Sequence, residues 1–371
     1  MRHPMYALGV LKEAGWHVRA WCFESDLKEG DAEVRHWRAP NLPSALPLIW
    51  FFLRANFARW TYFMVNGRKP AAIVHTSSAF YLGADLIGVQ FVNALWAKKQ
   101  MELGFHTWKQ FAQWVFTLIG VFMDYCQFRH SESRRFLCAS ESIADAVRER
   151  VHPAALVDAL PNGYDETRFN AAVRERWRAA MREKLGFSST DTVFAFLSTG
   201  HYERKGFWLA VDALALVRSR DERTDLKFLV IGGTEAALAQ LRSQLEARHS
   251  GFSEWVIFVG QQPRVEEYLA AADAFLYPSY FEAFCLAEIE AAAMGIPLLI
   301  TPHYGSEMIL KVGINGLLLE WDPALIAEKI CRFILLGPTA FKLDTGGALT
   351  RAEYARSLLA FYSKSLEGAT D

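Results

Sequence analysis

The chain has 371 residues, more than a single hydrophobic core usually holds, so two domains are expected. Apolar residues make up 52% and charged residues 22%, which excludes a disordered chain. A net charge of −1 offers no general attraction to nucleic acid, so no nucleic-acid partner is expected.

Residues 6–15 read as the first helix of a βα unit and residues 16–23 as the strand after it. Nothing before Tyr6 can supply a first strand or a glycine-rich loop, so the N-terminal sheet is expected to lack its first strand. In the usual 3-2-1-4 order that strand is central, and its loss would leave two edges unpaired. A truncated or misassigned start is the preferred explanation, and a rearranged, smaller sheet is the alternative. Residues 46–65 are strongly aromatic, broken only by Arg54, Asn56, Arg59 and Thr61. A second run, 111–125, carries Trp114, Phe116 and Phe122. Basic and aromatic residues on such helices fit peripheral contact with the inner face of a membrane, yet helices covering a parallel sheet look similar.

Strands are expected at 71–75, 85–92 and 135–139, and Ser140 is placed to N-cap a helix ahead of Ile143 and Ala144. Residues 161–168 read as the join to a second βα alternation. Its strands fall at 192–197, 227–232 and 256–260, then a helix at 266–272 and a strand at 274–279. The final helix spans 350–365. The domains are therefore 1–163 and 164–347, with 348–371 returning to the first. The five cysteines, Cys22, Cys126, Cys138, Cys285 and Cys331, are odd in number and far apart, which suits reduced thiols in a cytoplasmic setting and no bound metal. No signal peptide or uninterrupted apolar span of about 20 residues is present.

The most informative stretch is 282–300. Glu282 stands just before a helix and Glu290 eight residues on, after which Gly295 stops the helix and Pro297 leads into an apolar strand. At the helix start, free N–H groups of Phe284, Cys285 and Leu286 can hold an anion. At 1.5 Å rise per residue the two carboxylates are roughly 12 Å apart, about the reach of a nucleotide sugar. Glu288, about 200° around the helix from Glu290, reads as a surface acid. Cys285 at a helix start could have a lowered pKa, although packing is the more ordinary role.

This stretch resembles the C-terminal half of the retaining, glycogen-synthase-like glycosyltransferases of family 4, whose fold is GT-B. The pattern of an acid, seven residues, an acid, Ala and Gly-x-Pro falls on Glu282, Glu290, Ala291, Gly295 and Pro297. In order along the chain, Pro161-Asn162-Gly163 with Asp165 resembles the interdomain segment, and Lys205-Gly206 the phosphate-binding turn. Ala272-Asp273 with Pro278-Ser279, then Asn315-Gly316, complete the set. The likeness is strong over 137–319 and weak before that.

The resemblance implies an α/β fold of two Rossmann-like doubly wound domains facing a cleft. It implies transfer of a sugar, with retention, from a nucleoside-diphosphate sugar to a glycan, lipid-linked or small-molecule acceptor. No cofactor and no metal would be needed, the departing phosphate receiving the acceptor proton. Glu282 would bind sugar hydroxyls beside the reacting carbon and Glu290 the ribose. Lys205 and Arg204 would hold the diphosphate, with Gly200 and Gly206 permitting close backbone approach, and Glu307 would add a donor contact. Relatives often carry an Arg where this chain has Gly200, a role Arg204 could assume. Gln90 and Asn93 stand on the acceptor side, where relatives frequently have histidines. His75, His201 and His303 follow strands and could reach the cleft, though each reads more simply as a polar loop residue. Alternatives are a catalytically silent donor-binding protein, a nucleotide-sugar epimerase of the same fold and, disfavoured for want of a Gly-x-Gly-x-x-Gly after a strand, a dehydrogenase.

Overall fold

A computed structural model describes residues 11–22, 33–36, 46–67, 73–77, 81–130, 135–221 and 225–367. The chain divides into two compact units, one of residues 1–163 with 349–371 and one of residues 164–348.

In the first unit, β1 (Arg19–Cys22) and β2 (Glu33–His36) form a parallel pair separate from the main sheet. That sheet is parallel and ordered β3 (His75–Ser77), β4 (Leu86–Val89), β5 (Arg135–Cys138) and β6 (Leu156–Ala159). Among the described residues β1 and β2 pair with each other and not with β3, the break that a 3-2-1-4 order without its central strand would leave. Residues before Leu11, where the missing first strand was sought, lie outside the described residues. The expected strands at 85–92 and 135–139 are present but shorter, and the one at 71–75 begins only at His75.

Two long helices, α1 (Leu46–Asn66) and α3 (Trp108–Arg129), occupy the two aromatic runs, and α2 (Asn93–Leu103) lies between them. Thr107 caps α3 through a reciprocal capping box with Gln110, and the Ser140 hydroxyl accepts from the Ile143 N–H to start α4 (Glu141–Arg148). The last helix, α12 (Arg351–Glu367), buries Tyr354, Leu358 and Tyr362 against Leu86, Leu137 and Leu160 of the same unit.

The second unit is a six-stranded parallel sheet. Its strands are β7 (Thr192–Leu197), β8 (Leu226–Ile231), β9 (Val256–Gly260), β10 (Ala274–Tyr277), β11 (Leu298–Ile300) and β12 (Gly316–Leu318). They lie in the order β9-β8-β7-β10-β11-β12. Renumbered from the first of them, that is 3-2-1-4-5-6, the doubly wound order whose direction reverses between the first and fourth strands. Phe194, Phe196, Phe228, Phe275 and Tyr277, on three neighbouring strands, are fully buried. Each contributes about 1.5–3 kcal/mol through the apolar surface it hides. Runs of Val, Leu and Phe without alternation are what strands covered on both faces require.

A buried ionic tie anchors this sheet. Asp273, at the entry to β10, pairs with Arg178 and with Arg182, both on α5 (Ala171–Lys184), and accepts from the Val193 N–H at 2.8 Å. It fixes where β10 starts relative to β7, and hence where both strands end.

Candidate donor site at the strand reversal

Adjacent strands that wind in opposite directions leave a crevice at their carboxyl ends, and ligands of open α/β sheets sit there. Here those ends are β7 and β10. The loop after β7 carries Gly200, Arg204 and Lys205; the loop after β10 carries Ser279 and Glu282. The two loops touch because Gly206 has no side chain. With φ +74, a Cβ there would lie 1.9 Å from the Pro278 carbonyl oxygen. The Tyr280 N–H then donates to the Arg204 carbonyl at 2.8 Å. In the β7 loop His201 takes a left-handed conformation (φ +57), and its carbonyl receives the Lys205 N–H at 3.0 Å. Burial, followed by the charges of Arg204 and Lys205, lowers the His201 pKa.

Glu282 is nearly buried and lies between two cations: Arg204 Nη1 at 3.3 Å and Lys205 Nζ at 3.7 Å. The Tyr277 and Ser279 hydroxyls approach its Oε1 at 3.5 Å, and Lys205 Nζ also meets the Tyr277 hydroxyl. Arg204 Nη1 donates to the Phe281 carbonyl at 2.6 Å. Burial alone would raise the Glu282 pKa, but Lys205, Arg204 and His303 together lower it, so the group is a carboxylate at neutral pH.

The helix geometry differs from the sequence reading. The helix after Glu282, α9, runs Leu286–Ala293 with Cys285 as N-cap, so three residues separate the carboxylate from its first residue. Glu290 is the fifth helical residue rather than the eighth, and the 1.5 Å-per-residue estimate does not apply across the loop. Phe284, Cys285 and Leu286 do surround the helix start, and Gly295 (φ +69) follows its end. Glu290 is half-buried and acts electrostatically on Arg168, in the segment resembling the interdomain join. Glu307 opens α10 (Ser306–Ile309) as an exposed residue, and Gly200 lies in open space.

Two sequence readings are overturned in this neighbourhood. Glu288 is not a surface acid, and His303 is not an ordinary loop residue. Both side chains have 0% exposure, and His303 Nε2 lies 2.7 Å from Glu288 Oε1. Burial by itself pulls the imidazolium's pKa down. The charge and hydrogen bond of Glu288 outweigh it, with the Tyr304 carbonyl and Glu282, and hold it up to about 9. A signal was present in the sequence: Leu-Ala-Glu-Ile-Glu-Ala-Ala-Ala is apolar nearly all round, the mark of a helix without a solvent face. Cys285, by contrast, is the packed residue the sequence favoured, since burial, then Glu288 and Glu282, push its thiol well up.

The acceptor-side candidates belong to the first unit. Gln90 and Asn162 join their amides reciprocally, at 3.0 and 2.7 Å. Asn93 gives its backbone and side-chain N–H groups to Asp124 of α3, at 2.8 and 3.0 Å, and the space beside it is reserved by Gly120. Its amide is thus engaged in holding α2 to α3. Nearby, His75, Ser77, Gln90 and Tyr354 line a small cavity, and His75 Nδ1 meets the Tyr362 hydroxyl at 2.7 Å.

Residues 191–335 match the family described as glycosyl transferases group 1. D-inositol 3-phosphate glycosyltransferase of Nocardia farcinica is 33% identical over 225 residues, covering 57% of this chain and 48% of that protein. The Corynebacterium jeikeium protein of the same name is 29% identical over 256 residues, covering 63% and 58%. The chain thus spans about half the length of the curated relatives it matches. Among solved structures, WaaG, a glycosyltransferase involved in lipopolysaccharide biosynthesis, superposes with TM-score 0.71 at 19% identity, over 97% of this chain and 91% of that one. Sucrose-phosphate synthase from Thermosynechococcus elongatus gives 0.69 at 19%, over 99% and 90%. The fold is accordingly GT-B. Anabaena HepE in complex with UDP-glucose matches 75% of this chain and 72% of that one, with TM-score 0.58 and 17% identity.

Proposed function

We propose that this chain, whose residues 191–335 belong to the group 1 glycosyltransferases, moves a sugar with retention from a nucleoside-diphosphate sugar to a glycan, lipid-linked or small-molecule acceptor. The observation that carries the proposal is the carboxylate of Glu282 held between Arg204 and Lys205 at the β7–β10 reversal. Arg204, Lys205 and the cationic His303 against Glu282 and Glu288 leave this cluster one positive charge in excess. A diphosphate arriving there competes for Lys205 and Arg204. As it takes them, Glu282 is released to accept hydrogen bonds from sugar hydroxyls near the breaking bond, where positive charge develops. The N–H groups at the start of α9 add to the anion's stabilisation.

Gly200 permits close approach of the donor, Phe284 offers its backbone N–H, and Glu290 and Glu307 complete the donor's contacts. We propose that no resident metal or cofactor takes part, since Lys205, Arg204 and the helix start meet the leaving diphosphate; turnover undiminished by EDTA is the expected outcome. Gln90, joined to Asn162, stands on the acceptor side, whereas Asn93 supports it through Asp124. A thermal-shift screen with UDP-, GDP- and ADP-sugars, followed by a transfer assay with the stabilising donor, tests the reading. No shift with any of them at millimolar concentration would refute it.

The reading includes peripheral attachment to the cytoplasmic face of a membrane. Among the described residues no helix is long and apolar enough to cross one. Yet exposed Trp108, Val115, Leu118, Phe122 and Tyr125 recur at spacings of seven, three, four and three residues along one face of α3. Leu53, Phe57, Trp60 and Met64 likewise share one face of α1. Across α1–α3 the cations Arg54, Arg59, Lys98, Lys99, Lys109 and Arg129 face only Glu102 and the buried Asp124. An aromatic stripe flanked by basic residues suits an anionic interface. Flotation with anionic vesicles at low salt is the check, and absence of binding would remove this part.

A further inference from the structure

Glu288 and His303 belong to neither the donor contacts nor the hydrophobic core, yet they form a fully buried charge pair. Taking two charges out of water costs several kcal/mol per ion, so such a pair is poor evidence for stability and calls for another explanation. Glu288 Oε2 sharpens the question, because it is buried and, the weakly donating Cys285 thiol aside, has no hydrogen-bond partner among the described residues.

The proton's position follows from the partners. His303 Nδ1 faces the Tyr304 carbonyl at 3.1 Å, which can only accept, so Nδ1 carries hydrogen. Nε2 faces the Glu288 carboxylate at 2.7 Å, so a proton also lies between those two atoms. The groups facing this pair are Glu282, Cys285 and, through Glu288, Tyr277. Tyr277 and Cys285 are held neutral by burial, which leaves Glu282 as the other carboxylate in reach of the ring's charge.

The pair also joins two loops. Glu288 lies in the first turn of α9, and His303 precedes α10, so their bond ties the segment carrying Glu282 to the segment carrying Glu307. The second loop is folded on itself by Ser306 Oγ, which accepts from the His303 N–H at 3.1 Å and donates to the His303 carbonyl at 2.7 Å. It is pressed so closely onto the first that a Cβ on Gly305 (φ +85) would lie 2.9 Å from the Ala283 carbonyl oxygen.

We propose that His303, held as a buried imidazolium by Glu288, is a positioning residue for Glu282: its fixed charge keeps that carboxylate ionised and its bond to α9 fixes the loop that aims it. The assignment rests on the donor-site reading of Glu282. While Arg204 and Lys205 turn to the diphosphate, His303 remains as the cation that Glu282 keeps, because it is sealed from the ligand. Glu282 therefore stays an acceptor for sugar hydroxyls throughout donor binding.

The direct test is nitrogen NMR of the full chain with labelled histidine, read from pH 6 to 10 without substrate. His303 should show two protonated ring nitrogens up to about pH 9. In Glu288→Gln the ring should titrate below pH 7. A neutral ring at pH 7 in the unaltered protein, or a ring still cationic at pH 8 in Glu288→Gln, overturns the proposal. Kinetics give the second arm. His303→Gln should lower kcat about tenfold, leave the affinity for UDP within about twofold, and move the acid limb of kcat/KM upward by about one pH unit. An acid limb that does not move also overturns it. If no nucleotide sugar is turned over at all, the glycosyltransferase reading fails, while the NMR arm still judges the charge on His303.

Discussion

His75, on an edge strand of the first unit's sheet, and His303, just past an inner strand of the second unit's, are the same residue type, and burial acts on both in the same direction. Among the described residues His75 meets a hydroxyl, that of Tyr362, and no carboxylate, so burial lowers it to about 4 and the ring is neutral. His303 meets a carboxylate in the same kind of surroundings and is held up to about 9. The lesson is that desolvation sets the starting point and one directed partner decides the charge. The wider contrast follows suit. The second unit buries charges in pairs, at Asp273, Glu282 and Glu288. The first leaves large aromatic residues in water, on α1 and α3. Each departs from the ordinary distribution of polar and apolar groups where function is proposed.

Removing one partner from a buried pair should give the largest effect. Asp273→Ala leaves Arg182 buried beside an empty site, and a loss of about 3–5 kcal/mol is expected in denaturant unfolding. A loss below 1 kcal/mol would mean that this unit's ionic ties are incidental. Next comes chemistry: Glu282→Gln should reduce turnover by about 10²–10³-fold with the fold intact. Glu290→Gln should mainly weaken nucleotide binding, by roughly tenfold, as loss of one hydrogen-bonded charge does. Equal and trivial effects from both would contradict their assignment.

The histidines themselves predict opposite pH limbs. His75 has a depressed pKa, so its contribution to stability is complete above about 6.5 and is lost as pH falls toward about 4. For His303 the pKa is raised; its contribution is complete below about 6.5 and is lost as pH rises through about 9. His75→Asn should flatten the acid limb of a stability–pH curve and leave the alkaline limb alone, and His303→Gln should do the reverse. The smallest folding effect belongs to the exposed stripe. Trp108→Ser with Phe122→Ser should change stability by no more than about 0.5 kcal/mol each, because neither is buried. Binding to anionic vesicles should nevertheless fall.

Much of the fold was legible before the structure. The strand at Thr192–Leu197 and that at Val256–Gly260 fall where unbroken β-branched and aromatic runs put them. Ser140 caps its helix as its position indicated. Such features are local: a few consecutive residues carry the whole signal. Glu282 was also legible from its spacing to Glu290, and Arg204 and Lys205 from the resemblance and their place after a strand; the folded chain brings all three together. What was not legible depends on which loop lies over which. Glu288 and Glu290 are two residues apart and chemically identical in sequence, yet only the first is covered by the loop that carries His303. Asn93 looked like a site residue, and only the packing of α2 on α3 assigned its amide to Asp124.

By itself, then, the sequence determined the βα alternation, the division near residue 163 and which acids and bases stand in the loops of the proposed donor site, since periodicity and short-range spacing are written along the chain. Only the tertiary structure decided which of those groups lose their water and beside what partner. A side chain's charge depends on neighbours distant in sequence, and fifteen residues separate His303 from the carboxylate that holds its proton.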